Sequence, residues 1–348
     1  MKVIEKYNDS QHNPHWKYQL GPESYEVKDT PLRVESIKKS LRQDARFEFK
    51  TADAFPERII ARIHPYHDYI RHTAESLQTD TEEFYPDLFP GEGAHLPKKV
   101  DSPLWGGIWC TDAVTPIMKK TYQVARASAE TALTAAALIK NGQEKAVYAL
   151  CRPSGHHAGP RVFGGYCYFN NVATAAEYLL PAGKVAIVDI DYHHGNGTQE
   201  FFAEIKSVFT ASIHGDPAVE YPYFWGYADE IGNGQAAGTN HNEPLPKGTQ
   251  LPEYLRAVNR IRDKISAFDP DYLIIAGGFD THRKDPIGGF SLRTEDYTRL
   301  GNEFASWRIP TLVCQEGGYN TEVLGECVKN FLLGMMEPGQ LPDIPGTA

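Results

Sequence analysis

Cysteine pairs, long apolar runs and positive charge are all scarce in this sequence, and each scarcity argues against a class of protein. The five cysteines are scattered and form no CxxC pair, which argues against a disulfide framework and a thiolate metal site. No apolar run approaches the ~18 residues of a membrane-spanning helix, and the first residues lack the apolar stretch of a signal peptide. We therefore expect a cytoplasmic protein without membrane contact, whose cysteines are reduced and mostly buried.

The charge balance is acidic. The chain has 348 residues, with 45 Asp and Glu against 35 Lys and Arg, which gives a formal net charge of −10. Such a surface argues against binding to nucleic acid and is compatible with a cationic substrate. Many cytoplasmic proteins have a similar balance, so charge alone discriminates little.

Strand-like and helix-like segments alternate through the middle and the C-terminal part. Short apolar, β-branched runs predict strands at 145–150, 184–191, 207–213, 272–280 and 311–315. Helices are predicted at 121–141, 171–180, 252–268, 294–306 and 321–336. This alternation predicts an α/β domain, a parallel sheet with helices on both faces, and we expect one domain over residues 1–348.

Residues 79–107 differ from the rest. This stretch, the inserted loop, contains four prolines, four glycines and several acids, with no helical or strand period. A loop this long in a compact domain is uncommon and is usually functional or disordered. We interpret it as an insertion on one domain.

Five polar clusters follow predicted strands or lie between them, at 155–159, 189–197, 212–216, 278–282 and 316–319. In open α/β sheets the ligand site lies at the carboxyl ends of the strands. We therefore expect the five clusters to converge on one site.

Two of these clusters contain candidate metal ligands. Asp191 and His193 are two residues apart, so their side chains point the same way on an extended segment, and Asp280 ends another strand. Two carboxylates and one imidazole leave an open coordination position, as in catalytic zinc sites, and the set also suits ferrous iron. The alternative is a strand end with a hydrogen-bonded histidine and a capping aspartate.

His156, His157 and Tyr319 are candidates for catalysis. Histidine titrates near neutrality, so the adjacent pair suits general acid–base work, although both rings would also suit a purely structural role. Tyr319 follows two glycines after a buried strand, where its hydroxyl would donate to a developing oxyanion. The alternative for Tyr319 is a core tyrosine after a turn.

Read together, the segments RPSGHHAG, FGGYCYFNN, DIDYHHGNGTQ, SIHGDP, GGFDTHRKDP and EGGY resemble the histone deacetylase family, particularly its bacterial acetylpolyamine amidohydrolase branch. They appear in family order over nearly the whole chain. The resemblance implies an arginase-like three-layer α/β fold with a central eight-stranded parallel sheet. It implies an amidohydrolase that removes an acetyl group from an amine.

The resemblance also assigns roles residue by residue. Asp191, His193 and Asp280 match the zinc ligands, and Tyr319 matches the catalytic tyrosine. His156 and His157 match the paired histidines, with His157 as general base and His156 acting electrostatically.

Residues around this centre match further family positions. Asp189 lies behind the first histidine and Asn196 behind the second, where family members vary between Asp and Asn. Asp189 and Ser212 match the side-chain ligands of a structural monovalent cation, K⁺ or Na⁺. Tyr166, Tyr221 and Ile287 match the lining of the substrate tunnel.

The inserted loop resembles the loop that narrows the entrance in polyamine-deacetylating members and contributes to their dimer interface. The resemblance therefore implies an acetylated polyamine substrate and a homodimer. Glu92, Asp101 and Asp112 lie in or just after this loop, where they would pair with ammonium groups or remain ordinary solvated carboxylates.

Three alternative functions are compatible with parts of this pattern. A lysine deacetylase or broad acyl-amine hydrolase and a non-catalytic acetyl-group binder share the motifs. A two-manganese ureohydrolase needs carboxylates where this chain has Gly195 and His282, so we exclude a second metal site.

Overall fold

The centre of the molecule is an eight-stranded, all-parallel sheet in the computed structural model, which describes residues 1–6, 9–15, 17–20, 23–91 and 102–337. Its strands, in spatial order, are β10 (Asn240–Leu245), β9 (Val208–Gly215), β8 (Val185–Asp189), β11 (Tyr272–Gly277), β12 (Thr311–Gln315), β7 (Ala146–Ala149), β1 (Lys2–Glu5) and β4 (Glu48–Thr51). Short antiparallel pairs form between β2 (Lys17–Leu20) and β3 (Glu23–Glu26), and between β5 (Glu83–Phe84) and β6 (Ile117–Met118).

Helices cover both faces of the sheet. In chain order they are α1 (Leu32–Leu41), α2 (Arg58–Ala61), α3 (His67–Ser76), α4 (Gly106–Trp109), α5 (Thr121–Lys140), α6 (Asn171–Leu179), α7 (Asn196–Phe202), α8 (Leu251–Phe268), α9 (Asp296–Ser306) and α10 (Leu324–Met336). One face packs against α1, α8, α9 and α10, and the other against α5, α6 and α7.

The central strands are apolar on both sides, as a doubly covered parallel sheet requires. In β11, Leu273 and Ile275 belong to one core cluster, whereas Ile274 and Ala276 belong to the other. This pattern confirms the predicted α/β architecture and the eight-stranded sheet.

The five strands predicted from sequence are present, within three residues at their ends. Three sheet strands were not predicted individually, namely β1, β4 and β10. β1 and β4 have only four residues each, and β10 is a polar edge strand that contains Pro244. An edge strand tolerates proline because one side of it has no ladder partner, so its sequence lacks the usual strand pattern.

The described part of the inserted loop contains more structure than its sequence indicated. Strand β5 lies within residues 79–107, helix α4 begins there, and β5 pairs with β6 beyond the loop. Residues 92–101, with Glu92 and Asp101, lie outside the described residues. Across the described ranges, no helix is both long and apolar enough to cross a membrane. All five cysteines are buried and unpaired, as expected.

Candidate active site

Three donor side chains converge at the carboxyl ends of β8 and β11. Asp191, His193 and Asp280 are buried or nearly so, and one ligand atom from each lies within 4.8 Å of the other two. The His193 Nδ1 atom is 3.1 Å from Asp280 Oδ2 and 3.4 Å from Asp191 Oδ1. The strand ends therefore bring the three predicted ligands together.

Backbone groups hold the two carboxylates. The Gly317 N–H donates to Asp191 Oδ2 at 2.7 Å, and the Tyr192 N–H donates to Asp280 Oδ1 at 2.7 Å. Gly278 and Gly317 also leave room for them, because a Cβ on Gly278 would lie 2.0 Å from Asp191 Oδ2. These contacts orient the two carboxylates, which lowers the cost of binding an ion.

The electrostatics of this cluster favour a cation. Burial and the charge of Asp191 raise the pKa of Asp280 to about 7. Burial lowers the pKa of His193, but the carboxylates of Asp191 and Asp280 outweigh it and raise that pKa to about 10. A bound cation would therefore stabilise the two buried carboxylates. Their oxygens and one imidazole nitrogen form a ligand set that suits zinc or ferrous iron.

The two adjacent histidines form different hydrogen bonds. His156 Nδ1 lies 2.9 Å from Asp189 Oδ2, and His157 Nδ1 lies 2.8 Å from Asn196 Oδ1. Both partners are oxygen acceptors, so each Nδ1 carries the proton and donates it. In the neutral tautomer of His157 the lone pair is therefore on Nε2.

The two rings also differ in basicity, because carboxylates surround His156 whereas His157 lies beside two other imidazole rings. Burial lowers the pKa of His156, but Asp191 and Asp189 outweigh it and raise that pKa to about 10. Burial, together with the rings of His156 and His193, holds the pKa of His157 well below its ordinary value. His156 is therefore cationic and His157 neutral near pH 7.

Tyr319 lies in the loop after β12, held from both sides. The Arg33 guanidinium lies 4.7 Å from the Tyr319 ring centroid, and Arg33 Nε donates to the Gly318 carbonyl at 2.6 Å. On the other side, the Tyr319 N–H donates to Asp285 Oδ2 at 2.7 Å. Burial holds the pKa of the Tyr319 hydroxyl well above its ordinary value, so it remains a hydrogen-bond donor.

Two aromatic rings stand beside the histidine and tyrosine side chains. The Tyr221 ring packs edge-on to His157, with centroids 4.9 Å apart and planes at 89°. The Tyr166 and Tyr319 ring centroids are 6.1 Å apart, and Tyr166 has a φ of 65°, a left-handed conformation uncommon outside glycine. Ile287, the third predicted lining residue, is half-buried in the loop after β11.

Asp112 is engaged with the backbone. Its Oδ2 accepts the Gly165 N–H at 2.6 Å, and its Oδ1 accepts the Val114 N–H at 2.8 Å. The Asp112 carboxylate therefore fixes the turn that precedes Tyr166, and its pairing with a substrate ammonium group stays a prediction.

Asp189 and Ser212 are paired in register on the neighbouring strands β8 and β9. Asp189 Oδ1 accepts the Asp191 N–H at 3.0 Å, and Ser212 Oγ lies 2.8 Å from His214 Nδ1. These two side chains are therefore adjacent beneath the candidate metal centre.

Sequence reasoning gave no role to Glu316, Asp285 or Arg33. Glu316 is fully buried, and its Oε2 accepts the N–H groups of Gly155 and His156 at 2.7 and 3.2 Å. Asp285 was visible in the sequence as an Asp-Pro turn, a pattern typical of a carboxylate that accepts nearby backbone N–H groups. No local pattern indicated that Arg33 reaches a loop 285 residues away.

Two carboxylates and an imidazole at the carboxyl edge of an eight-stranded parallel sheet define an α/β protein with a candidate catalytic metal centre. The chain belongs to the histone deacetylase family, since the histone deacetylase domain model matches residues 28–335. It is therefore a deacetylase of the hydrolase class, in a metal-dependent family.

Named relatives lie within this family. The chain is similar to acetylpolyamine amidohydrolase 1 of Pseudomonas aeruginosa, with 39% identity over 317 residues that cover 88% of this chain and 90% of that protein. It is 45% identical to the acetylpolyamine amidohydrolase of Mycoplana ramosa over 66% of this chain and 67% of that one. The crystal structure of acetylpolyamine aminohydrolase from Burkholderia pseudomallei superposes with a TM-score of 0.90 at 32% identity, covering 97% of this chain and 99% of that one.

Proposed function

We propose that this enzyme hydrolyses acetylated polyamines of the acetylputrescine, acetylcadaverine or acetylspermidine type, releasing acetate and the free amine with zinc as cofactor. The observation that carries the proposal is the convergence of Asp191, His193 and Asp280 within 4.8 Å. The names of the similar proteins support the substrate class.

Asp191, His193 and Asp280 would hold the zinc ion, and ferrous iron suits the same donors. When bound, such a cation polarises the acetyl carbonyl and lowers the pKa of the attacking water. Every other contribution comes from the side chains of the protein.

His157 is the general base in this scheme. Because its Nδ1–H donates to Asn196, its Nε2 is free to accept the proton of the attacking water. The same nitrogen then returns the proton to the leaving amine. His156, cationic beside Asp189, stabilises the developing negative charge, and the protonated Tyr319 hydroxyl donates to the oxyanion.

A monovalent cation, K⁺ or Na⁺, would bind below this centre through Asp189 and Ser212. Their pairing in register on β8 and β9 supports this assignment. Such an ion would offset part of the buried negative charge of the site.

The aromatic walls support a thin substrate. Tyr166 and Tyr221 present flat faces that suit a methylene chain, and aromatic rings also attract ammonium groups. The net charge of −10 favours the approach of a polycation.

The test of this proposal is kcat/KM of the zinc-loaded enzyme on acetylated polyamines and on an acetyl-lysine peptide, measured side by side. We expect a preference of at least about tenfold for the polyamines, equivalent to about 1.4 kcal/mol. The His157→Ala variant is the background control for both substrates. Equal or faster turnover of the peptide would reassign the enzyme as a lysine deacetylase.

We also propose that the inserted loop forms a homodimer interface. Leu88, Phe89, Leu104 and Trp105, all in this loop, expose 77%, 47%, 82% and 37% of their surface, which is unfavourable in a monomer. Light scattering coupled to size exclusion tests this, with Leu88→Asp and Leu104→Asp together as the disrupting variant. A monomeric wild-type protein would refute the proposal.

A further inference from the structure

One carboxylate, that of Asp285, accepts four backbone N–H groups from two loops. Its Oδ2 accepts from Tyr319 at 2.7 Å and from Asn320 at 3.3 Å. Its Oδ1 accepts from Ile287 at 3.0 Å and from Gly288 at 3.1 Å. Asp285 thus divides its two oxygens between the loop after β12 and its own loop after β11.

These two loops carry different parts of the proposed site. The loop after β12 carries Tyr319, the proposed oxyanion donor, and the loop after β11 carries Ile287, the proposed tunnel wall. A second bond joins the same loops, because Asn320 Nδ2 donates to the Lys284 carbonyl at 2.8 Å.

The backbone around Tyr319 depends on such bonds. Gly318 has a φ of 115°, so the chain turns sharply just before the tyrosine. Arg33 holds the carbonyl side of this turn through Gly318 and Glu316. Asp285 holds the N–H side, so hydrogen bonds from Arg33 and to Asp285 together set the direction of the Tyr319 side chain.

We propose that Asp285 is a positioning residue that fixes the Tyr319 hydroxyl and the Ile287 wall relative to each other. This inference rests on the proposed function, since it assigns Asp285 an effect through Tyr319. Asp285 takes no part in proton transfer, because the structure directs both of its oxygens to backbone N–H groups.

A carboxylate is needed at this position because each of its two oxygens accepts hydrogen bonds from a different loop. In Asp285→Asn, one oxygen becomes an NH₂ group, which would face two N–H donors and repel them. The variant therefore keeps one loop and releases the other, with nearly unchanged side-chain volume. A shift of about 1 Å in a positioned group costs up to about 100-fold in rate.

The experiment is a double-mutant cycle between Asp285→Asn and Tyr319→Phe, with kcat and KM measured on an acetylated polyamine. We expect Asp285→Asn to lower kcat by about 10- to 100-fold in the wild-type background. In the Tyr319→Phe background, which lacks the hydroxyl, the same change should alter kcat by less than about threefold. Any change in KM should be the same in both backgrounds, because Tyr319→Phe does not alter the bonds between Asp285 and the loop that carries Ile287.

Two measurements separate positioning from general damage. Asp271→Asn is the matched control, since Asp271 Oδ2 accepts the Lys184 N–H at 2.8 Å at the amino ends of β8 and β11, away from the site, and it should leave kcat and KM unchanged. Metal content by mass spectrometry should equal that of wild type in every variant.

An unchanged kcat in Asp285→Asn would overturn the inference, as would equal losses in the two backgrounds. A fully metal-loaded wild-type enzyme without deacetylase activity would refute the proposed function and this inference together. If Asp285→Asn does not fold, Asn320→Ala replaces it, with a smaller kcat loss expected that disappears in the Tyr319→Phe background. Additive losses there would equally overturn the inference.

Discussion

Gly317→Ala is expected to abolish metal binding although it adds only a methyl group. A Cβ at this position would lie 2.5 Å from Asp191 Oδ2 and 2.5 Å from Asp280 Oδ2. Ordinary contact with a Cβ begins at 3.4 Å, so each carboxylate oxygen must retreat by about 0.9 Å. Metal–ligand distances tolerate about 0.2 Å, so the two carboxylates no longer fit one ion.

The backbone itself should accept the change. Gly317 does not have a φ in the left-handed region, and alanine retains the N–H that donates to Asp191. The damage is therefore confined to the space between the two carboxylates. We expect metal affinity to fall by at least about 100-fold, which is the upper end of the loss seen when an orienting partner of a ligand is removed.

The assay is metal content after dialysis against a chelator of known affinity, combined with kcat on the acetylated polyamine. Gly91→Ala is the matched control, because a Cβ there meets nothing within 4 Å and needs no unusual φ. Normal metal content and activity in Gly317→Ala would show that Asp191 and Asp280 are not joint ligands of one ion.

Three further predictions concern single side chains. Tyr319→Phe should keep its metal and lose about 100- to 1000-fold in kcat, measured at saturating substrate, whereas near-normal turnover would exclude the oxyanion role. Arg33→Ala should lose about 3–5 kcal/mol of unfolding free energy in urea. Arg33 Nη1 lies 2.5 Å from the buried Asp29 carboxylate, so the variant leaves this carboxylate with less compensating positive charge. A loss below about 1 kcal/mol would contradict this prediction. His64 is buried, and its Nε2 accepts the Asn170 N–H at 2.9 Å; burial lowers its pKa to about 3, below the unfolded value of 6.5. The neutral form of His64 therefore contributes stability that is complete above pH 6.5 and is lost as the pH falls toward 3. In this range His64→Gln should make the decline of the unfolding free energy with falling pH shallower by about 1.4 kcal/mol per pH unit. Parallel curves of unfolding free energy against pH for the two proteins would refute this.

The central strands could be predicted because burial on both faces makes them continuous apolar runs. Strand β12 has the predicted bounds, and β8 and β11 are close to theirs. Strand β10 contains Pro244 and polar residues, a composition that only its edge position explains. Residues 240–245 are recognisable as a strand only from their pairing with β9, and a local sequence pattern does not reveal that pairing.

The candidate site likewise has residues that the sequence predicts and contacts that it does not. Asp191, His193 and Asp280 could be placed together because the carboxyl ends of parallel strands meet at one edge. The contacts that orient Tyr319 could not be predicted, since Arg33 approaches from a distant helix and its partners are backbone carbonyls. Carbonyl groups are the same in every residue, so the sequence contains no signal for them.

The glycines of the motifs have a steric reason that links the ligands to the loops around them. Gly278 lies beside Asp191, and Gly317 lies between Asp191 and Asp280, each too close for a side chain. Two like-charged carboxylates must be held near each other at this edge, and the two glycines leave free the space that the carboxylate oxygens occupy. The Gly317 N–H also donates to Asp191 at 2.7 Å. A glycine next to a strand-end carboxylate in such a sheet is therefore evidence for a site that needs its carboxylates rigidly placed, and the variant Gly278→Ala should lose metal for the same reason as Gly317→Ala.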